Sequence, residues 1–222
     1  MKLRVASYNI RHGHDAGLDM AVLAKDILSA APDVVGLQEV DVRTERVQGR
    51  DTLAELAAAA GFAHYAFCRA IPFAGGEYGT AILSRYPIRS FAVIPLPCTG
   101  AREMRAVGQA VLDADGERVD VFNTHLSYES HALRLPQFEA LAALTAPHPA
   151  WIPTGDFNTA DTGCFAAFAG ACLANPGTYP TFPGTGEGID NIVCSSPWRI
   201  ADTGVLPHSH SDHLLLWAEL TK

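Results

Sequence analysis

Lysine is scarce in this chain of 222 residues, and its 16 Lys and Arg are outnumbered by 24 Asp and Glu, a formal charge of −8 at pH 7. That sign argues against a surface that tracks a long polyanion, because each phosphate gripped requires a cation. The cysteines, Cys68, Cys98, Cys164, Cys172 and Cys194, are odd in number, scattered and never in a CxxC pair. Neither a disulfide framework nor a cysteine zinc site is suggested, and buried reduced thiols are expected. No apolar run approaches the roughly 18 residues of a membrane helix. The N-terminus meets polar Asn9 and Arg11 before a signal-peptide segment could form. The expectation is a soluble, cytoplasmic protein. Internal repeats, linkers and composition breaks are also missing, so residues 1–222 read as one domain. With 48% hydrophobic and 18% charged residues, the core needs neither staples nor a partner subunit.

What the chain does contain is a series of short β-type runs: Leu3 to Tyr8, Val34 to Glu39, Thr80 to Ser84, Ala106 to Leu112, Val119 to Leu126, Trp151 to Thr154, Ile189 to Cys194 and Leu214 to Leu220. Three helical patterns interrupt them. Asp19 is a candidate N-cap for Met20, Leu23, Ala24, Ile27 and Leu28, with Pro32 as the stop. Asp51 to Ala60 repeats the pattern, and Phe138, Leu141, Ala142 and Leu144 form a third stripe with Pro136 near its start. From the middle onward strands follow strands through turns, so simple βα alternation fits poorly and two packed mixed sheets fit better.

The chemistry-bearing residues sit where these runs end: Asn9, Glu39, His125, Asp156 with Asn158, and Asp212 with His213. A polar residue closing a strand is ordinary on its own. If Glu39, Asp156, Asp190 and Asp212 converge, however, four like charges need a cation to offset their repulsion. Carboxylate and amide oxygens suit a hard ion, Mg²⁺ or Mn²⁺, better than zinc.

Seven motifs in order, YNI at Tyr8, LQEVD from Leu37, YGTAILS from Tyr78, NTHL from Asn123, GDFN from Gly155, IDNI from Ile189 and SDH from Ser211, resemble those of the endonuclease/exonuclease/phosphatase superfamily. The resemblance spans the chain. It implies a four-layer α/β sandwich, two packed mixed β-sheets flanked by helices, and metal-dependent phosphoester hydrolysis. It further implies Glu39, supported by Asn9, as principal metal ligand, and Asp212 as a further one. By the same resemblance Asp156 and Asn158 position the nucleophilic water and a phosphate oxygen. His213 is then the base, Asp190 fixes its tautomer, and His125 donates to the phosphoryl oxygens or leaving group. Arg43 and Arg105 resemble the basic residues some members hold near the substrate phosphate. The bland alternative for both is surface arginine.

Two other readings compete. His208-Ser209-His210-Ser211-Asp212-His213 matches the HxHxDH zinc motif of metallo-β-lactamase-like hydrolases, but only nine residues follow it and they read as a closing strand without further ligands. A binding module that has lost turnover would lack a motif residue, and none is missing. His12 and His14 add donors beside Asn9, with solvated loop histidines as the bland alternative. The few arginines near the motifs, Arg43, Arg102 and Arg105, favour a small phosphoester over nucleic acid, and the PLPCTG loop before Arg102 is a candidate pocket wall.

Overall fold

The computed structural model describes all residues from Met1 to Lys222. The chain forms β1 (Lys2–Asn9), α1 (Met20–Ala30), β2 (Val34–Val42), α2 (Thr52–Ala59), β3 (His64–Phe73), β4 (Gly76–Ser84), β5 (Ile88–Pro95), β6 (Ala106–Ala114), β7 (Glu117–His125), α3 (His131–Thr145), β8 (Trp151–Asp156), β9 (Cys172–Leu173), β10 (Asp190–Cys194), β11 (Arg199–Val205) and β12 (Leu216–Thr221). The strands make two six-stranded mixed sheets, ordered β11-β12-β1-β2-β4-β3 and β5-β6-β7-β8-β10-β9.

All eight strands expected from the sequence are interior ones, and the four it passes over, β3, β5, β9 and β11, are the sheet edges. The physical reason is burial. β5 has only half-buried and exposed residues and buries none fully, so it carries no apolar signal. The helices follow their caps: Asp19 accepts from the Ala21 N–H and Asp51 from the Ala54 N–H. The third begins earlier than expected, at His131 behind an N-cap at Ser130, which puts Pro136 in its second turn. Cys172 is exposed, against the expectation that all thiols are buried; it lies on an edge strand.

Period-two alternation divides each interior strand between two cores. Leu3, Val5, Val34, Val119, Val121, Ile152 and Ile192 meet between the sheets. Ala6, Tyr8, Val35 and Leu37 face α1 and α2 on one outer side. Val107, Phe122 and Val193 face Phe138 and Leu141 of α3 on the other. The result is helix, sheet, sheet, helix, a four-layer sandwich. Burial of each Val, Leu, Ile or Phe side chain among them contributes about 1.5–3 kcal/mol.

Toward one end of the sandwich the inward positions change character. Val5 is followed inward by Ser7 and Asn9, Val34 by Gly36 and Gln38, Val121 by Asn123 and His125, and Ile152 by Thr154 and Asp156. Gln38 Nε2 donates to Asn123 Oδ1 at 2.8 Å, Thr154 Oγ1 donates to the same oxygen at 3.0 Å, and Asn123 Nδ2 donates to the carbonyls of Leu37 and Ala81. This buried polar layer joins the two sheets. Gly36 is required there, since a Cβ would collide with Thr154 and Asn123. No helix is long and apolar enough to cross a membrane.

Candidate active site

Parallel pairing of β1 with β2 and of β7 with β8 brings Asn9, Glu39, His125 and Asp156 to the same end. Antiparallel β10 enters that end with its first residue, Asp190, in register with Asp156. The segment before β12 supplies Asp212 and His213. Glu39 sits at a bulge between Leu37 and Val40, with φ 54°. A left-handed, non-glycine residue in a strand re-aims its side chain at a cost of order 1–3 kcal/mol, a strain typical of functional positions. Asn158 has φ 53° just past β8.

Asn9 Nδ2 donates to Glu39 Oε1 and to Asp156 Oδ2, both at 3.1 Å, while Asn9 Oδ1 accepts the Arg11 N–H at 3.0 Å. Because a backbone N–H can only donate, the amide nitrogen must face the carboxylates. Asn9 is therefore a clamp on two carboxylates. Asp156 Oδ1 accepts the Asn158 N–H at 2.9 Å, and Asn158 Nδ2 donates to the Leu126 carbonyl at 2.9 Å.

His213 Nδ1 lies 2.8 Å from Asp190 Oδ2, and its Nε2 lies 3.6 Å from Asp156 Oδ2. His125 Nε2 approaches the same Asp156 oxygen at 3.5 Å. Thr181 Oγ1 accepts the N–H groups of Ile189 and Asp190, fixing the start of β10, and the Phe182 ring covers His213 at 4.8 Å between centroids. Burial works to lower the pKa of His213, but the carboxylates of Asp190, Asp156 and Asp212 outweigh it and hold the imidazole well above its ordinary value. His125 goes the other way, pushed well down by burial and by the charges of Arg105 and His213. Asp156 is raised by burial and by Asp190. The two histidines thus take opposite charge states at neutral pH, His213 cationic and His125 neutral.

Between Asp190 and Asp156 the protonated form of His213 is favoured, and the Asp156 carboxyl is pushed toward neutrality.

Asp212 lines the rim, 3.5 Å from Arg11 Nε, and its neighbour Ser211 donates to the Asn9 carbonyl. His12 lies 4.0 Å from Glu39, with its pKa pushed down to about 4 by burial and by Arg46. His14 is exposed. The cavity, about 360 Å³, is bordered by Glu39, Asp156, Asn158, Asp212 and both active-site histidines, and by the apolar and aromatic side chains Ile71, Phe73, Tyr78, Tyr128 and Phe182.

Arg105 lines it, its side chain only 3% exposed and its guanidinium 2.6 Å from Glu103. Cys98 of the PLPCTG loop accepts the Arg105 N–H at 3.1 Å, so that loop acts by holding Arg105. Arg43 does not reach the cavity: its side chain is 72% exposed and turned to Asp51. Arg102 is exposed, its N–H bonded to Glu129. The second basic group is Arg46, which the sequence reading missed. Asp41, fully buried, accepts from Arg46 Nε and Nη2 at 2.6 and 2.7 Å and aims the guanidinium over Phe73 and Tyr78. The signal available was Asp41 itself, a buried carboxylate in a strand, which demands a partner. The zinc reading fails on geometry. His208 and His210 are exposed, and His210 Nδ1 is bonded to Asp26, away from His213 and its partner Asp190.

The sequence matches the family described as endonuclease/exonuclease/phosphatase over residues 6–213. No curated protein matches it. Among solved structures, an endonuclease/exonuclease/phosphatase from Beutenbergia cavernae is similar with a TM-score of 0.82 at 23% identity, covering 99% of this chain and 71% of that one. A mannosyl-6-phosphatase from Bacteroides thetaiotaomicron gives 0.74 at 22% identity over 99% and 100%. Zebrafish (D. rerio) TDP2 complexed with a single-stranded DNA product gives 0.74 at 19% identity over 100% and 99%. The chain with this carboxylate and histidine cavity therefore belongs to the endonuclease/exonuclease/phosphatase family, whose members hydrolyse phosphoester bonds.

Proposed function

We propose that the protein is a Mg²⁺- or Mn²⁺-dependent hydrolase of a small phosphoester. The observation that carries this reading is the cavity of about 360 Å³ that Glu39, Asp156, Asp212 and the His213–Asp190 pair share with Arg46 and Arg105. Glu39 and Asp212 would hold the ion, an oxygen-only donor set that fits a hard dication. Glu39, Asp156 and Asp212 gather like charges in one cavity, which a cation would offset. When bound, the ion supplies charge neutralisation at the phosphoryl oxygens. Asp156, oriented by Asn9 and Asn158, accepts a proton from water. His213, held cationic by Asp190, and Arg105 face the developing negative charge, and His125 is a donor to phosphoryl or leaving-group oxygen.

The substrate class rests on shape and charge. The cavity also has aromatic and aliphatic lining, and two arginines match one or two phosphates. The mannosyl-6-phosphatase among the structural relatives is in keeping with such a substrate, whereas the relative bound to single-stranded DNA favours a second reading, a nuclease. The test is a Mg²⁺-dependent panel of sugar phosphates, inositol phosphates, nucleotides, phospholipids, bis-p-nitrophenyl phosphate and DNA at two salt concentrations. Turnover of a small phosphoester that is little affected by salt is the expected result. Efficient DNA cleavage that falls steeply with salt would replace it with the nuclease reading.

A further inference from the structure

Outside the catalytic cavity, folding gathers one more set of metal-ligand side chains. Cys164 Sγ lies 3.9 Å from His131 Nδ1 and 3.8 Å from Asp161 Oδ2. The three ligand atoms all lie within 4.8 Å of one another. They come from two segments, His131 at the start of α3 and Asp161 with Cys164 in the short 3₁₀ turn Thr162–Ala167 and its cap. Asp161 uses Oδ1 to cap the Gly163 N–H, which leaves Oδ2 turned to the thiol. Cys164 is buried, whereas His131 and Asp161 are exposed, so the cluster has an apolar floor and an open, solvent-facing side.

The geometry points to a second cation site here, specific for zinc or another soft divalent ion, formed by Cys164, His131 and Asp161 with water as fourth ligand. Ligand type decides the ion: thiolate, imidazole and carboxylate form a zinc set, whereas magnesium avoids sulfur. Distance agrees. Tetrahedral zinc with ordinary Zn–S, Zn–N and Zn–O bonds puts sulfur roughly 3.5 Å from each other ligand, so the two distances to sulfur need to contract by only a few tenths of an ångström. The α3 N-terminus opposes a cation, and two anionic ligands outweigh that opposition. Thiol proton loss accompanies binding, so affinity rises with pH.

The location gives the site a consequence. His131 follows the segment that carries Tyr128 of the cavity wall, and Asp161 lies three residues beyond Asn158. Across these two segments runs the Asn158 to Leu126 hydrogen bond. An ion in this position clamps the loop behind His125 to the loop that holds Asn158, tightening one wall of the cavity from outside it.

Cobalt(II) titration of the metal-free full chain tests this apart from catalysis, because the catalytic cavity offers no sulfur ligand. A thiolate-to-cobalt charge-transfer band should appear with one equivalent in the parent and in Glu39→Gln, and vanish in Cys164→Ser. His131→Ala and Asp161→Asn alter exposed side chains and leave the core intact; each should weaken zinc at least about tenfold by chelator competition and reduce the zinc-induced rise in Tm. A parent without the band, a Cys164→Ser variant that keeps it, or a Cys172→Ser variant that loses it would overturn the assignment.

Discussion

The two sheets contribute unlike halves to one cavity. The β7, β8 and β10 side supplies Asp156, Asp190 and His125, which with the adjoining His213 are at most 7% exposed. The β1 and β2 side, with the turn before β12, supplies Glu39 and Asp212, whose side chains are 26% and 35% exposed. Burial separates their chemistry. In the closed half burial and neighbouring charges shift His213, His125 and Asp156 together, so proton positions are set before substrate arrives. Carboxylates in the open half remain accessible to water and to an ion. One cavity edge can thus hold buried, charge-shifted groups beside water-accessible carboxylates when one sheet end is sealed by side chains and the other is not.

This contrast orders the predictions. Chelation, which strikes the open half, should abolish phosphoesterase activity, with Mg²⁺ or Mn²⁺ restoring it; Glu39→Gln should need far more metal to reach the same rate. Activity unchanged in the chelator would end the metal reading. In the closed half, His213→Ala should lower kcat by about 10²–10⁴-fold while leaving metal affinity intact by calorimetry. If metal is lost instead, His213 belongs to the open half. Arg46→Ala should raise KM for a phosphoester roughly tenfold with a smaller change in kcat, whereas Arg43→Ala should change neither. Equal effects from the two would reverse the assignment made from Asp41.

The smallest effect concerns stability. The folded-state pKa of His213 is raised, so its ion pairing contributes fully below the ordinary imidazole value and is lost as pH climbs through the raised one. Urea unfolding across that alkaline range should show stability falling with pH in the parent and falling less in Asp190→Asn. Matching slopes would mean that the pair does not carry the shift.

Interior strands were legible because both faces of each are buried, so their apolar residues form runs. Edge strands β3, β5, β9 and β11 were not, since a strand with one partner and a wet face carries little apolar pattern. The charged members of the site were legible at strand ends. Arg46 was not, because its position depends on a 3₁₀ turn after β2 and on the buried Asp41, and Arg43 lies nearer the motif in sequence.

Composition, period-two alternation and the order of motifs determined the interior strands, the helices with their Asp19 and Asp51 caps, and which polar residues close each strand. These are local properties, carried by neighbours within a few positions. Only the tertiary structure decided that Asn9 presents its amide nitrogen to two carboxylates, that His213 is cationic while His125 is neutral, and that His131 meets Cys164. Each of those outcomes depends on strand order and burial. They bring together groups dozens to more than a hundred residues apart, and their charges interact through a low-dielectric interior that no local pattern encodes.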